Sequence, residues 1–178
     1  LIRHPYATLY SFVEARLHHY FFRHPHPYSL RELAELLWVV GHRNIVEFLR
    51  EIPGERHHVV RYEDLVSNPR GVAAGIAAFL DIPFDEAMLT PYQGARMADS
   101  IHPVAPMVGD PRFLLRRSID ARAAERWKQL HRNDYLSAET WGLAEQFGYR
   151  RDSAGQADQP APAPIAPIAL AERGAELP

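Results

Sequence analysis

The sequence predicts an α/β layered fold built on a parallel sheet, of which about two strands are carried here. Three observations predict it. Segments with apolar residues at helical spacing alternate with single short β-branched runs, the pattern that puts helices on the faces of a parallel sheet. Hydrophobic residues make up 47% of the 178 residues and charged residues 24%, enough apolar material for one packed domain. Short clusters of proline and glycine separate segments, as at His24-Pro25-His26-Pro27 and Pro53-Gly54.

The chain opens on Leu1-Ile2, an apolar pair read as the end of a buried strand, and Arg3-His4-Pro5 breaks it. Pro5 suits the first turn of a helix, where its missing N–H is not needed. A helix is expected from Tyr6 to about Phe22, with Leu9, Phe12, Val13, Leu17, Tyr20 and Phe21 on its apolar face. His24-Pro25-His26-Pro27 stops it. Ser29 with Glu32 forms a capping box opening a second helix to about Arg50, with Leu33, Leu36, Leu37, Val40, Ile45, Phe48 and Leu49 as its stripe. Pro53-Gly54 is a turn, and His57 to Tyr62 reads as a strand. A helical turn begins at Glu63, Asn68-Pro69 interrupts it, and Gly71 to Leu80 is a helix with Val72, Ile76, Phe79 and Leu80 inward.

The stretch from Pro91 to Arg112 is rich in proline and glycine and reads as a long loop, of the length that usually serves as a functional lid. Asp120 is expected to cap a helix reaching about Leu130, and Ser137 another ending at Gly148, a favourable residue just past a helix. From Asp152 the composition turns to alanine and proline without aromatics, so 152–178 reads as an extended linker and 1–151 as the folded part. The non-Met start and the unclosed C-terminus read as cuts in a longer polypeptide.

Composition narrows the function. A formal charge of −2 gives no case for a nucleic-acid partner. No apolar run reaches membrane-spanning length, so no membrane partner is expected. The absence of cysteine removes disulfide frameworks and thiolate metal sites and is compatible with a cytoplasmic protein.

The chemistry-bearing signal is Arg3-x-Pro5 with Ser11, directly after a strand end. Ligands of open α/β sheets bind at the C-terminal ends of strands. A guanidinium with a hydroxyl nearly two helical turns on suits a phosphate, although such residues are also often merely solvated. Other candidates read as structural. Glu14 and His18 stand one turn apart, but His19 is expected to point away and no third ligand shares their face, so no metal is expected. His42 is read as a partly buried structural histidine. Glu63 and Asp64 are read as packing residues, Trp127 and Trp141 as core. Arg112, Arg116 and Arg117 read as a solvated basic stretch or as added charge near a bound phosphate, and the two readings stay open.

Taken together, RHPYATLYS resembles the 3′-phosphate-binding segment of the sulfotransferase family, with the family's Arg and Ser falling on Arg3 and Ser11. HHVVRYEDLVSNP, followed by a helix ending FLDIP, is similar to the family's strand, turn and following helix. Gly109-Asp110-Pro111, then Ile119-Asp120 and Trp127, resembles the loop and helix that close over the nucleotide in bacterial members. The resemblance spans about residues 1–150. It implies a P-loop-like parallel sheet with flanking helices, and transfer of a sulfuryl group from PAPS to a hydroxyl or amine, leaving PAP. It also implies that Arg3, Ser11, Gly109, Asp110 and Pro111 contact the donor.

The family's 5′-phosphosulfate loop, its usual general base and its leaving-group lysine precede the Arg-x-Pro segment. They are therefore expected upstream of Leu1, the catalytic residues are left unassigned, and this piece alone is expected to be inactive. RHPYA and the capped second helix most resemble sulfotransferase domains of polyketide and nonribosomal peptide assembly lines. The tail IALAERGAELP resembles the lead-in to a condensation domain. Neighbouring domains of such a megasynthase, and a carrier-tethered acceptor, are then the expected partners. Three alternatives stay open: a free-standing sulfotransferase, a non-catalytic interaction or spacer module, and another nucleotide-dependent enzyme such as a kinase.

Overall fold

The computed structural model describes residues 1–22, 24–91, 118–129 and 133–151. The expected loop between Pro91 and Arg112, the residues Gly109-Asp110-Pro111, Arg112, Arg116 and Arg117, and the linker 152–178 lie outside the described residues, apart from Pro91. By its internal contacts the chain divides into two compact units, Leu1–Arg61 with Trp127–Pro178, and Tyr62–Arg126.

In the first unit the predicted strand pairing reduces to one contact. Ile2 pairs with Arg61 in a parallel bridge, and the Ile2 N–H donates to the Val60 carbonyl at 2.8 Å. Among the described residues this bridge is all that stands for the expected parallel sheet, and the rest of the regular structure is helical. Helix α1 spans Pro5–Glu14, with proline in its first turn as the sequence predicts. It does not run on to Phe22. Arg16 sits in the left-handed region at φ 53°, which breaks the helix, and a single turn, α2 (His18–Phe21), follows.

Helix α3 spans Leu30–Glu51 and starts at the predicted capping box. Ser29 Oγ accepts from the Glu32 N–H at 3.3 Å, and the Glu32 carboxylate accepts from the Ser29 N–H at 2.7 Å. Those bonds hold the Glu32 carboxyl below the usual range. The buried stripe of α3 differs from the expected one. Leu33, Ala34, Trp38, Val39 and Val46 are buried, whereas Leu36, Leu37, Val40 and Phe48 are exposed. The helix is apolar on more than one face, so spacing alone does not decide which face meets the core; the bulk of Trp38 does.

Helix α6 (Ala138–Gln146) closes this unit. Ser137 caps it, accepting from the Thr140 N–H at 3.2 Å. Glu35 of α3 sits at the same helix end, where backbone donors favour an anion. It accepts from the Ser137 N–H at 2.7 Å and the Thr140 hydroxyl at 2.5 Å. An Arg43–Glu139 ion pair adds a second link between α3 and α6. Phe147 is wholly buried in the core cluster with Leu9, Trp38 and Trp141. Its truncation to alanine would cost about 3–5 kcal/mol.

The second unit holds α4 (Tyr62–Ser67) and α5 (Pro69–Phe79). The Asn68 side chain caps α5 through the Gly71 N–H at 3.1 Å. Arg70 pairs with Glu86 across the chain turn that follows α5. Phe79 and Leu80, expected inward, are exposed, and Ala77 is the buried residue of α5. A left-handed residue, Asp81 at φ 53°, follows the end of the helix. The expected helix after Asp120 forms instead as two short 3-10 turns, Ala121–Ala124 and Arg126–Gln129, the second of which carries Trp127 into the first unit. Asp120 caps the first of them through the Arg122 N–H at 3.1 Å.

Candidate functional site

Arg3 follows the bridge residue Ile2 immediately, so it leaves the paired segments at their C-terminal end. It is half-buried, and its carbonyl accepts a hydrogen bond from the Trp38 indole at 3.3 Å. Ser11 is half-buried on α1, about 9 Å along the helix axis from Pro5 by helical rise. Thr8 stands one turn before it on the same face, also half-buried, with its hydroxyl on the His4 carbonyl at 3.3 Å. Arg3 thus stands at a strand end and Ser11 on the helix that follows, and both a guanidinium and a hydroxyl can donate to oxygen.

The residue between Arg3 and Pro5 points into the core. His4 is buried, and its ring stacks on Trp127 with centroids 4.2 Å apart and planes 13° apart. The edges of Trp141 and Tyr149 approach it at 5.9 and 5.2 Å. Trp127 and Trp141 are therefore core residues, as the sequence predicts. Tyr6 also stacks on Trp127, with centroids 5.4 Å apart, and donates its hydroxyl hydrogen to Asp134 Oδ1 at 2.6 Å. Burial first, then that bond, pushes the Tyr6 phenol well up from its usual value.

Asp134 also accepts from the Leu136 N–H at 3.2 Å, the Trp141 indole at 3.2 Å and Arg151 Nε at 2.5 Å. Partial burial pushes its carboxyl up, but these bonds outweigh that and hold it below the ordinary carboxylate range. Nothing in the sequence around Asp134 marks this role, because its partners are spread from Tyr6 to Arg151. Proximity in the fold, not spacing in the chain, makes the cluster.

His42 is structural in its surroundings. Its Nδ1 lies 2.8 Å from the Trp38 carbonyl one turn back, and its ring stacks on Trp38 at 3.8 Å. A carbonyl only accepts, so Nδ1 carries the hydrogen. Burial holds His42 below the usual histidine value, and the bond to Trp38 opposes this in part. Glu14 and His18 do not share a helical face, because α1 ends at Glu14. The rings of His18 and His19, expected to diverge, lie with centroids 4.1 Å apart. Partial burial and the neighbouring His19, Arg16 and His26 push His18 down. Arg61, not singled out from sequence, is buried at the bridge with its guanidinium 5.9 Å from the Tyr149 ring centre.

Residues 1–86 match the model of the sulfotransferase family. Two solved structures are similar. One is the sulfotransferase domain from the Synechococcus PCC 7002 olefin synthase, with 38% identity, a TM-score of 0.70, and coverage of 85% of this chain and 49% of that one. The other is the sulfotransferase domain from the curacin biosynthetic pathway, with 36% identity, a TM-score of 0.74, and coverage of 83% of this chain and 52% of that one. The chain thus spans about half the length of the solved domains it resembles. Among curated proteins none matches it. A family match that begins at the Arg3 segment, together with backbone likeness over most of the chain, leaves one assignment: this chain belongs to the sulfotransferase family.

Proposed function

We propose that the chain forms the 3′-phosphate-binding part of a sulfotransferase domain that uses PAPS and sulfates a hydroxyl or amine. The observation that carries this is the position of Arg3, at the end of a parallel-paired segment and at the entry to the helix bearing Ser11. Arg3 would hold the 3′-phosphate through charge-assisted bonds, and Ser11 would donate its hydroxyl hydrogen to the same group. Gly109, Asp110 and Pro111 would close over the nucleotide. In the reaction the acceptor oxygen or nitrogen forms a bond to sulfur, the bond from sulfur to the 5′-phosphate oxygen breaks, and the acceptor proton passes to a base. PAP leaves with its 3′-phosphate still held. We assign no base to the residues described.

The acceptor would be a carrier-tethered intermediate in a polyketide or nonribosomal peptide assembly line. Tethering would raise its effective concentration at the site. In support, one solved neighbour comes from an olefin synthase and the other from the curacin biosynthetic pathway. Residues 1–151 would then be the domain part and 152–178 a linker.

The experiment is transfer of labelled sulfate from PAPS to a carrier-bound hydroxyl by the full-length protein. Label on the carrier supports the proposal. Retention of PAP binding with no transfer to any hydroxyl or amine acceptor would favour a non-catalytic module instead.

A further inference from the structure

We propose that Trp38 is a positioning residue for Arg3: its indole N–H holds the Arg3 carbonyl and thereby fixes the direction in which the guanidinium leaves the backbone. The inference rests on reading Arg3 as the 3′-phosphate ligand. Three independent restraints meet at this one residue. Behind it, the Ile2 N–H is bonded to the Val60 carbonyl at 2.8 Å. Ahead of it, the His4 ring is stacked on Trp127 at 4.2 Å and buried. At Arg3 itself, the carbonyl receives the Trp38 indole at 3.3 Å from a helix 35 positions along the chain.

The donor is itself immobilised. Trp38 is 2% exposed, and its other face is covered by His42 at 3.8 Å with planes 15° apart. His42 is locked by its Nδ1 bond to the Trp38 carbonyl at 2.8 Å and by the edge of its ring against Phe147 at 5.7 Å. The indole cannot swing away without disturbing this stack. An arginine has a long flexible stem, and fixing its backbone lowers the ordering cost of presenting it to an anion. The role assigned to Trp38 is exercised through Arg3, whose carbonyl it holds.

The test replaces Trp38 in the full-length protein with benzothienylalanine, which keeps the shape of indole and lacks its N–H. Trp38→Phe serves as a second variant, with melting temperature as the folding control. The readout is affinity for PAP against affinity for AMP, which lacks the 3′-phosphate. Loss of one hydrogen bond predicts about three- to tenfold weaker PAP binding with AMP binding unchanged. In an Arg3→Ala background the replacement should change neither affinity, since coupled residues fail to add. Equal weakening of PAP and AMP, or an effect that persists without Arg3, overturns the positioning role. If Arg3→Ala alone leaves the preference for PAP intact, the assignment of Arg3 fails first.

Discussion

The Tyr6 hydroxyl and the Asp134 carboxylate meet at 2.6 Å across 128 positions of sequence, in the first turn of the helix that follows Arg3. This bond joins the entry of α1 to the segment before α6. The Tyr135 N–H donates back to the Tyr6 oxygen at 2.9 Å, so the phenol both gives and accepts. Tyr6→Phe therefore removes both bonds and leaves the partly buried Tyr135 N–H without this acceptor. It is expected to cost about 1–3 kcal/mol, read as a lowered denaturant midpoint with unchanged slope.

The same pair contributes to the pH dependence of stability at both ends. Asp134 has its carboxyl held low in the folded protein. Its contribution is complete above the unfolded carboxyl value of about 4 and is lost as pH falls through the lower folded value. Tyr6 is held high. Its contribution is complete below the unfolded phenol value of about 10 and is lost as pH rises above that toward the raised folded value. Asp134→Asn should flatten the acid limb of a stability–pH curve, and Tyr6→Phe the alkaline limb. Unchanged limbs would contradict the assignment.

His42 supplies a third titration. Its folded value lies below the ordinary one because it is buried. Stability should be full above the unfolded value of about 6.5 and fall as pH drops through the lower folded value. His42→Phe keeps a ring against Trp38 and should remove this slope while losing the bond to the Trp38 carbonyl. Melting temperature measured from pH 7.5 to 5 checks it (roughly the histidine range).

Gly148 carries φ 79°, and a side-chain carbon there would lie 3.2 Å from an Arg61 guanidinium nitrogen. Gly148→Ala should cost about 1–2 kcal/mol from the left-handed backbone alone. Ser29→Ala, which breaks the capping box of α3, should cost about 1 kcal/mol. Thermal unfolding of both variants measures these costs.

The local features were legible because they depend on adjacent residues. Pro5 starts α1, Ser29 with Glu32 starts α3, Ser137 starts α6, and Gly148 follows the end of α6. Arg3 could be placed at a strand end for the same reason. The break at Arg16 was hidden, because apolar spacing continues through Leu17 to Phe21 on both sides of it. The buried face of α3 was read only in part: Leu33, Ile45 and Leu49 turn inward as expected, but Leu36, Leu37, Val40 and Phe48 do not, and Trp38 falls off the expected stripe. Asp134 and the Trp38–Arg3 bond could not be read at all, since each joins residues that meet only in the folded chain.

The central claim is that Arg3 marks a site for the 3′-phosphate of the sulfate donor, and calorimetric titration of the full-length protein tests it most directly. PAP and AMP would be titrated into the wild-type protein and into Arg3→Ala. A charge-assisted contact predicts that PAP binds about ten- to a hundredfold tighter than AMP in the wild type, and that the variant loses this preference. Equal affinity for the two nucleotides in the wild type, or a preference that survives Arg3→Ala, would contradict the claim.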